Sequence, residues 1–192
     1  MNTIISEYVI IDKIPFFLLN IANYKIPYPI TKKYKNVNKL INDNFDTVIN
    51  DTINNNNNKY SISIYENYNN LIPMSKYLEN ELSNNEITNL LFQVLFSYSY
   101  LFSKLINFRH NNFTIDSFFV EQLSEKNTYE LTIGDINFIL NTNTICKLYN
   151  YRLSEMNEFK NIYPCQSNNS SYDIYYFFKS IYDFSYKTKK NL

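Results

Sequence analysis

Few side chains in this sequence can do acid–base, nucleophilic or metal chemistry. One His, His110, and two Cys, Cys146 and Cys165, are all the imidazole and thiol groups present. A lone His permits no H-E-x-x-H, and cysteines 19 residues apart make no C-x-x-C, so neither common zinc spacing exists. A Cys–His nucleophile pair stays open on residue type. Two cysteines in a reducing compartment, however, more often serve as small buried hydrophobes. The single Gly, Gly134, rules out both the G-x-G-x-x-G and the G-x-x-x-x-G-K-[ST] phosphate loops. What remains is a polar run, NFRHNNFTIDS over 107–117, and a few acids. Asp116 reads as a turn or strand-entry acid. Asp135 beside Gly134 reads as a hairpin turn, and Asp173 as an acid in the first turn of a helix. His110 reads as a structural histidine bonded to nearby backbone. No metal and no cofactor is expected.

The elements that must position these groups follow from periodicity. IISEYVI (4–10) reads as a strand, and the Pro-bearing KIPYPI (25–30) as extended chain. An Asn-rich stretch, 36–59, ends in the run Asn54–Asn58 and reads as an exposed loop and a boundary. KYSISIYENY (59–68) alternates as a strand does. Ser75 can cap a short helix beginning near Lys76. Ser83 with Glu86 forms a capping-box signature for a long helix running to about Asn107. Ile87, Leu90, Leu91, Val94, Leu95, Tyr98, Leu101, Phe102 and Leu105 form its expected apolar face. After the polar run come short strands: 117–123, then a charged turn SEKNTY, then 130–140 and 145–151. Residues 154–171 read as irregular. A helix over 171–184, capped by Ser171, is expected to bury Ile174, Phe177, Phe178, Ile181 and Tyr182, with KTKK as a frayed basic tail.

Composition sets outer bounds. At 192 residues the chain fits one domain or two lobes, and its 19 Tyr and 15 Phe are too many for a disordered chain. Zero net charge argues against a nucleic-acid partner held by overall charge. The most apolar stretch, Leu90 to Ile106, carries Gln93, Lys104 and serines and is shorter than the roughly 20 residues a membrane span needs, so no membrane is expected. The start, MNTIISEYVIIDK, lacks the basic head of a signal peptide. Asn alone occurs 33 times, while Ala, Gly, Pro and Arg are scarce, as codons of an AT-rich genome would give.

The ordered set LLFQVLFSYSYLF (90–102), NFRHNNFTIDSFFV (107–120), FILNTNTICKLYNYRLSE (138–155) and SYDIYYFFKSIY (171–182) resembles the C-terminal lobe of protein kinases. In its details it is similar to the divergent serine/threonine kinases of giant, nucleocytoplasmic large DNA viruses. The likeness covers roughly residues 60–184. It implies an α+β, truncated protein-kinase-like fold: a mainly helical C-terminal lobe with short β-hairpins over 60–192, and a reduced, β-containing N-terminal lobe over 1–59. In that family a loop Asp takes the substrate proton, and a loop Asn and the D-F-G Asp hold Mg²⁺. Here those positions carry Asn112, Ser117 and Asn150, and the D-F-G triplet reads Asn150-Tyr151-Arg152. Only the scaffold positions, His110 and Asp173, keep the family's residue. Lys13, Lys25, Lys32 and Lys33 are candidates for a phosphate lysine, but none lies in a V-A-I-K context. The later helices of a full kinase lobe are not expected. An amide supplies a dipole where Mg²⁺ prefers an anionic oxygen.

The resemblance therefore implies a catalytically inactive pseudokinase of a virion or host cytoplasm, bound to a protein partner such as a kinase or a virion component. A structural or virion-packaged protein without nucleotide binding is the alternative. An active atypical kinase recruiting Asp116 or Asp135 for metal is the third.

Overall fold

The computed structural model describes residues 1–27, 59–66, 70–156 and 171–190. The Asn54–Asn58 run, Lys32, Lys33, Pro164 and Cys165 lie outside these residues, as does the extended segment beyond Pro27. The architecture is α+β: four α-helices and two small antiparallel sheets among the described residues. Two compact units are present, one of Leu19–Glu66 and one of Met1–Leu18 with Asn67–Leu192. The boundary read in the sequence at 59/60 falls at the start of a strand of the smaller unit.

In that unit β1 (Asn20–Pro27) pairs antiparallel with β2 (Lys59–Tyr65), with Ile64 opposite Ala22 and Ser63 opposite Asn23. Its open end is tied by Asn20, whose Nδ2 donates to the Ile64 carbonyl at 3.2 Å. Glu66 and Leu19 exchange two bonds there: Glu66 N to the Leu19 carbonyl, and Leu19 N to Glu66 Oε1.

The larger unit opens on α1 (Asn2–Ile10), not on the strand expected at 4–10. Ile4, Ile5, Val9 and Ile10 are β-branched, but propensity is a weak prior beside packing. Ile5 is fully buried, and Tyr8 meets the Tyr100 ring edge-on at 5.6 Å. Short β3 (Leu71–Pro73) runs into α2 (Met74–Tyr77). Pro73, whose ring fixes φ, occupies the N-cap without a side-chain cap, so Ser75 lies inside the helix and caps nothing.

The long helix is α3 (Asn84–Lys104). Its capping box is formed as expected: Glu86 N donates to Ser83 Oγ, and Ser83 N to Glu86 Oε2. Its buried face differs from expectation. Ile87, Leu95 and Phe102 are exposed, while Gln93, Phe96, Ser97 and Tyr100 join Leu90, Val94, Tyr98 and Leu101 inside. The polar pair enters because both groups are satisfied there. Gln93 Nε2 donates to the Thr144 carbonyl at 3.0 Å, Gln93 Oε1 accepts from Cys146 N at 2.7 Å, and Ser97 Oγ donates to the Gln93 carbonyl. One amide thus clips α3 to a strand. Gln93→Leu would keep the volume, strip the buried Cys146 N–H of its acceptor and leave the Thr144 carbonyl only the Thr142 hydroxyl, costing about 2 kcal/mol. The expected result is a melting temperature about 4–8 °C lower by calorimetry.

The expected short strands are one long hairpin, β4 (Phe118–Ile133) and β5 (Ile136–Leu148), which with β3 makes a three-stranded sheet in the order β3-β4-β5. Gly134, at φ +58, and Asp135 make its two-residue turn, a backbone angle that favours Gly. SEKNTY is not a turn. The register steps from Gln122 opposite Thr144 to Asn127 opposite Thr142, so the extra residues form a bulge inside a strand that keeps the same partner on both sides. The last helix, α4 (Tyr172–Lys190), runs through the lysines expected to fray. It buries Asp173 and Phe177 and half-buries Ile174, Ile181 and Phe184. Phe178 and Tyr182, assigned to that face from the sequence, point outward. The inward stripe 174-177-181-184 leaves them on another side of a 3.6-residue period.

Candidate functional site

The polar run 107–117 leaves α3 through Asn107 and Asn111, at φ 56 and 60. Asn tolerates this left-handed region through its short polar side chain. The run is then pinned from two directions. Asp173, in the first turn of α4 and 2% exposed, accepts from His110 N at 2.8 Å through Oδ2 and from Asn111 N at 2.9 Å through Oδ1. The segment after β5 supplies the other clamp. Asn111 Nδ2 donates to the Leu153 carbonyl at 2.9 Å and Ser154 Oγ to the His110 carbonyl at 3.3 Å. Arg109 and Glu155 exchange a reciprocal pair of backbone bonds at 2.9 Å.

His110 is fully buried, with its ring edge-on to Phe113 at 5.6 Å and to Tyr151 at 5.5 Å. Nε2 lies 3.2 Å from the Tyr149 carbonyl, which can only accept, so this nitrogen carries the proton. Nδ1 makes no well-formed hydrogen bond among the described residues, although the Asn112 backbone acts on the ring in the direction that favours protonation. Burial outweighs that and pushes the imidazole pKa down to about 4. The ring is therefore neutral near pH 7, with its one proton committed to a backbone carbonyl, as a structural histidine requires. The Asp173 carboxyl moves the other way. Burial raises its pKa, opposed by the two N–H donors and by the Arg109 charge, while Glu155 adds to the rise.

Asn112 and Ser117 are joined directly. Ser117 is buried, and its hydroxyl donates to the Asn112 carbonyl at 2.5 Å. The Ser117 carbonyl accepts from Tyr149 N at 2.9 Å, which fixes the loop to the end of β5. Asn150 follows at φ 63 and opens the 3-10 turn Tyr151–Leu153. The five positions singled out in the sequence, His110, Asn112, Ser117, Asn150 and Asp173, thus share one network of neighbouring backbone. Asp173 is the one carboxylate among the five, and both its oxygens already accept backbone protons.

The other candidates lie elsewhere. Asp135 closes the tip of the long hairpin, about 40 Å along the strand from Leu148 at roughly 3.3 Å per residue. Asp116 is exposed, and its carbonyl accepts from Tyr149 Oη at 2.8 Å. Cys146 is fully buried and its thiol pKa is driven well up by burial, so it is not a thiolate near neutrality. Among the described residues no three His, Cys, Asp or Glu side chains gather as a metal site, and no helix is long and apolar enough to cross a membrane.

Three positioning features were not read from the sequence. Gln93 interrupts an apolar run and belongs to the resembling helix start, but neither signal shows the strand that it clips. Asn111 had as its only signal the Asn-Asn pair after His110. Lys147 forms an ion pair with Glu121 at 3.6 Å, the two side chains being 6% and 15% exposed. Alternation along β4 and β5 places Glu121 and Lys147 on one sheet face, but nothing in the residue types shows that the face is covered. No known protein-family model matches this sequence, and no curated protein matches it.

Proposed function

We propose that this chain is a pseudokinase, a kinase-like protein of a large DNA virus that has lost phosphoryl transfer and acts by binding another protein, a kinase or a virion component. One observation supports the reading above the others. A buried helix-opening Asp173 holds the backbone of a His-x-Asn loop, beside a strand that ends in a left-handed Asn, in the order the kinase resemblance implies. Phosphoryl transfer is largely positioning plus charge neutralisation around a metal. This loop keeps the positioning parts, while amide and hydroxyl side chains occupy the metal-facing and proton-accepting places. Losing a general base alone costs about 10²–10⁴-fold in rate.

The reading is tested by thermal unfolding of the full chain with and without millimolar Mg²⁺-ATP. Ligand at 100 times its dissociation constant adds about 2.7 kcal/mol, or about 5–11 °C at this size. No shift is the expected outcome. A shift of several degrees would show that a nucleotide site survives, and the active-kinase alternative would then take its place. Isolation from infected cells separates the remaining pair. A stoichiometric kinase partner supports the proposal, and a fixed place in the particle supports a structural role.

A further inference from the structure

Helix α4 is apolar on two opposite sides. Its inward stripe centres on Phe177, 1% exposed. At about 100° per residue, Tyr175, Phe178, Tyr182 and Tyr186 fall between about 100° and 180° from it. Their exposures are 62%, 44%, 67% and 54%. The remaining flank carries Lys179, Asp183 and Lys187, so this second stripe is an exposed aromatic strip bounded by charge. From these observations we propose that the outward face of α4 is a homodimer interface, in which the α4 helices of two copies pack antiparallel. This inference stands on α4 alone and holds whether or not the kinase-like reading does.

Area, charge and symmetry select a second copy as the occupant. Aromatic side chains carry about 150–250 Å² each, so at these exposures the four rings offer about 350–550 Å² per copy. Two copies bury up to about 700–1,100 Å² from these rings, and the flanking side chains bring the total to the roughly 1,000 Å² that a specific interface needs. The net charge of the chain is zero, so two copies do not repel. A two-fold axis between residues 180 and 181 sets Phe178 of one copy opposite Tyr182 of the other, and Tyr175 opposite Tyr186. Lys179 and Asp183 lie together on one flank of the stripe, each 45% exposed and 2.5 Å apart. The same axis brings Lys179 of one copy level with Asp183 of the other to within about one residue rise, ~1.5 Å. The pair within each helix can therefore be exchanged for two pairs across the interface.

Sedimentation equilibrium of the full chain from 1 to 200 µM tests this. Wild type is expected to dimerise with a micromolar dissociation constant. Tyr175→Glu combined with Tyr182→Glu should stay monomeric throughout and, at concentrations well below the wild-type dissociation constant, should melt as wild type does, since both positions are exposed. Lys179→Asp and Asp183→Lys should each weaken the dimer at least ten-fold when alone. Mixed one to one they should restore wild-type association, because the carboxylates of one variant then face the ammonium groups of the other. A wild-type monomer at 200 µM overturns the proposal. So does a dimer that survives the double tyrosine change, or a mixture that associates no better than its components. A monomer whose Tyr175 and Tyr182 resist nitration would show that the chain's own residues cover this face, and would also overturn it.

Discussion

Replacing Asp173 by Ala is expected to cost about 4 kcal/mol, the largest single loss the candidate site can suffer. The carboxylate accepts the backbone protons of both His110 and Asn111 from a position that is 2% exposed. Hydrogen bonds to a charged group contribute about 1.5–3 kcal/mol each, and donors left unpaired inside pay their own desolvation cost. The melting temperature should fall by about 8–16 °C. Asp173→Asn keeps one acceptor oxygen, so it should lose about half as much. Hydrogen exchange separates this from general loosening: amide protection at His110 and Asn111 should collapse before that of the β4–β5 ladder. A loss under 1 kcal/mol, or uniform loss of protection, would mean that the loop is held by other means.

The second large effect is a pH dependence assignable to one residue, because His110 is the only histidine. Its folded pKa of about 4 lies below the ordinary value of 6.5. The unfolded chain therefore binds the proton first as pH falls. The stability due to a neutral buried ring is complete above 6.5 and is lost on the way down to 4, on the order of 3 kcal/mol in all. About 2 kcal/mol should be gone at pH 5. Asp173 works against this slope. Its pKa is raised, so its native form takes a proton more readily, and its contribution falls as pH rises through the folded value. Urea unfolding at pH 7 and pH 5 gives the net loss, and the imidazole NMR resonance isolates the histidine. A midpoint near 6.5 for that resonance would contradict the buried neutral ring, and equal stabilities of an Asp173→Asn variant at the two pH values would do the same.

Local chemistry was legible in the sequence; tertiary context was not. The Ser83–Glu86 cap and the Gly134–Asp135 turn each depend on residues within one turn of chain, and both stand where the sequence put them. The β-branched residues of α1 signal strand, whereas what decides is burial of Ile5 and the ring contact of Tyr8 with Tyr100 on α3. SEKNTY was misread because charged residues that bulge from a strand have the same composition as a turn. The apolar face of α3 is rotated from the one periodicity implies because Gln93 and Ser97 are polar by type, while their bonds to β5 and to α3's own backbone lie beyond any residue count. The site behaves likewise. His110 and Asp173 are 63 residues apart in sequence, and no spacing rule links them; their pairing was implied only by the order of elements in a resembling family. The link between Asn112 and Ser117 spans five residues and lay within reach of local reading, but as a hydroxyl-to-carbonyl bond it carries no signature in residue type.

Cys146 gives the hairpin a clock of its own. Its thiol is fully buried on β5, inaccessible and protonated in the native state, and its backbone N–H is held by Gln93 of α3. A thiol reagent can reach it only when the structure around β5 opens, so in a Cys165→Ser background the labelling rate counts those openings rather than any reactivity of the sulfur. The residue that looked like half of a nucleophile pair is better used as a timer for how often the fold opens.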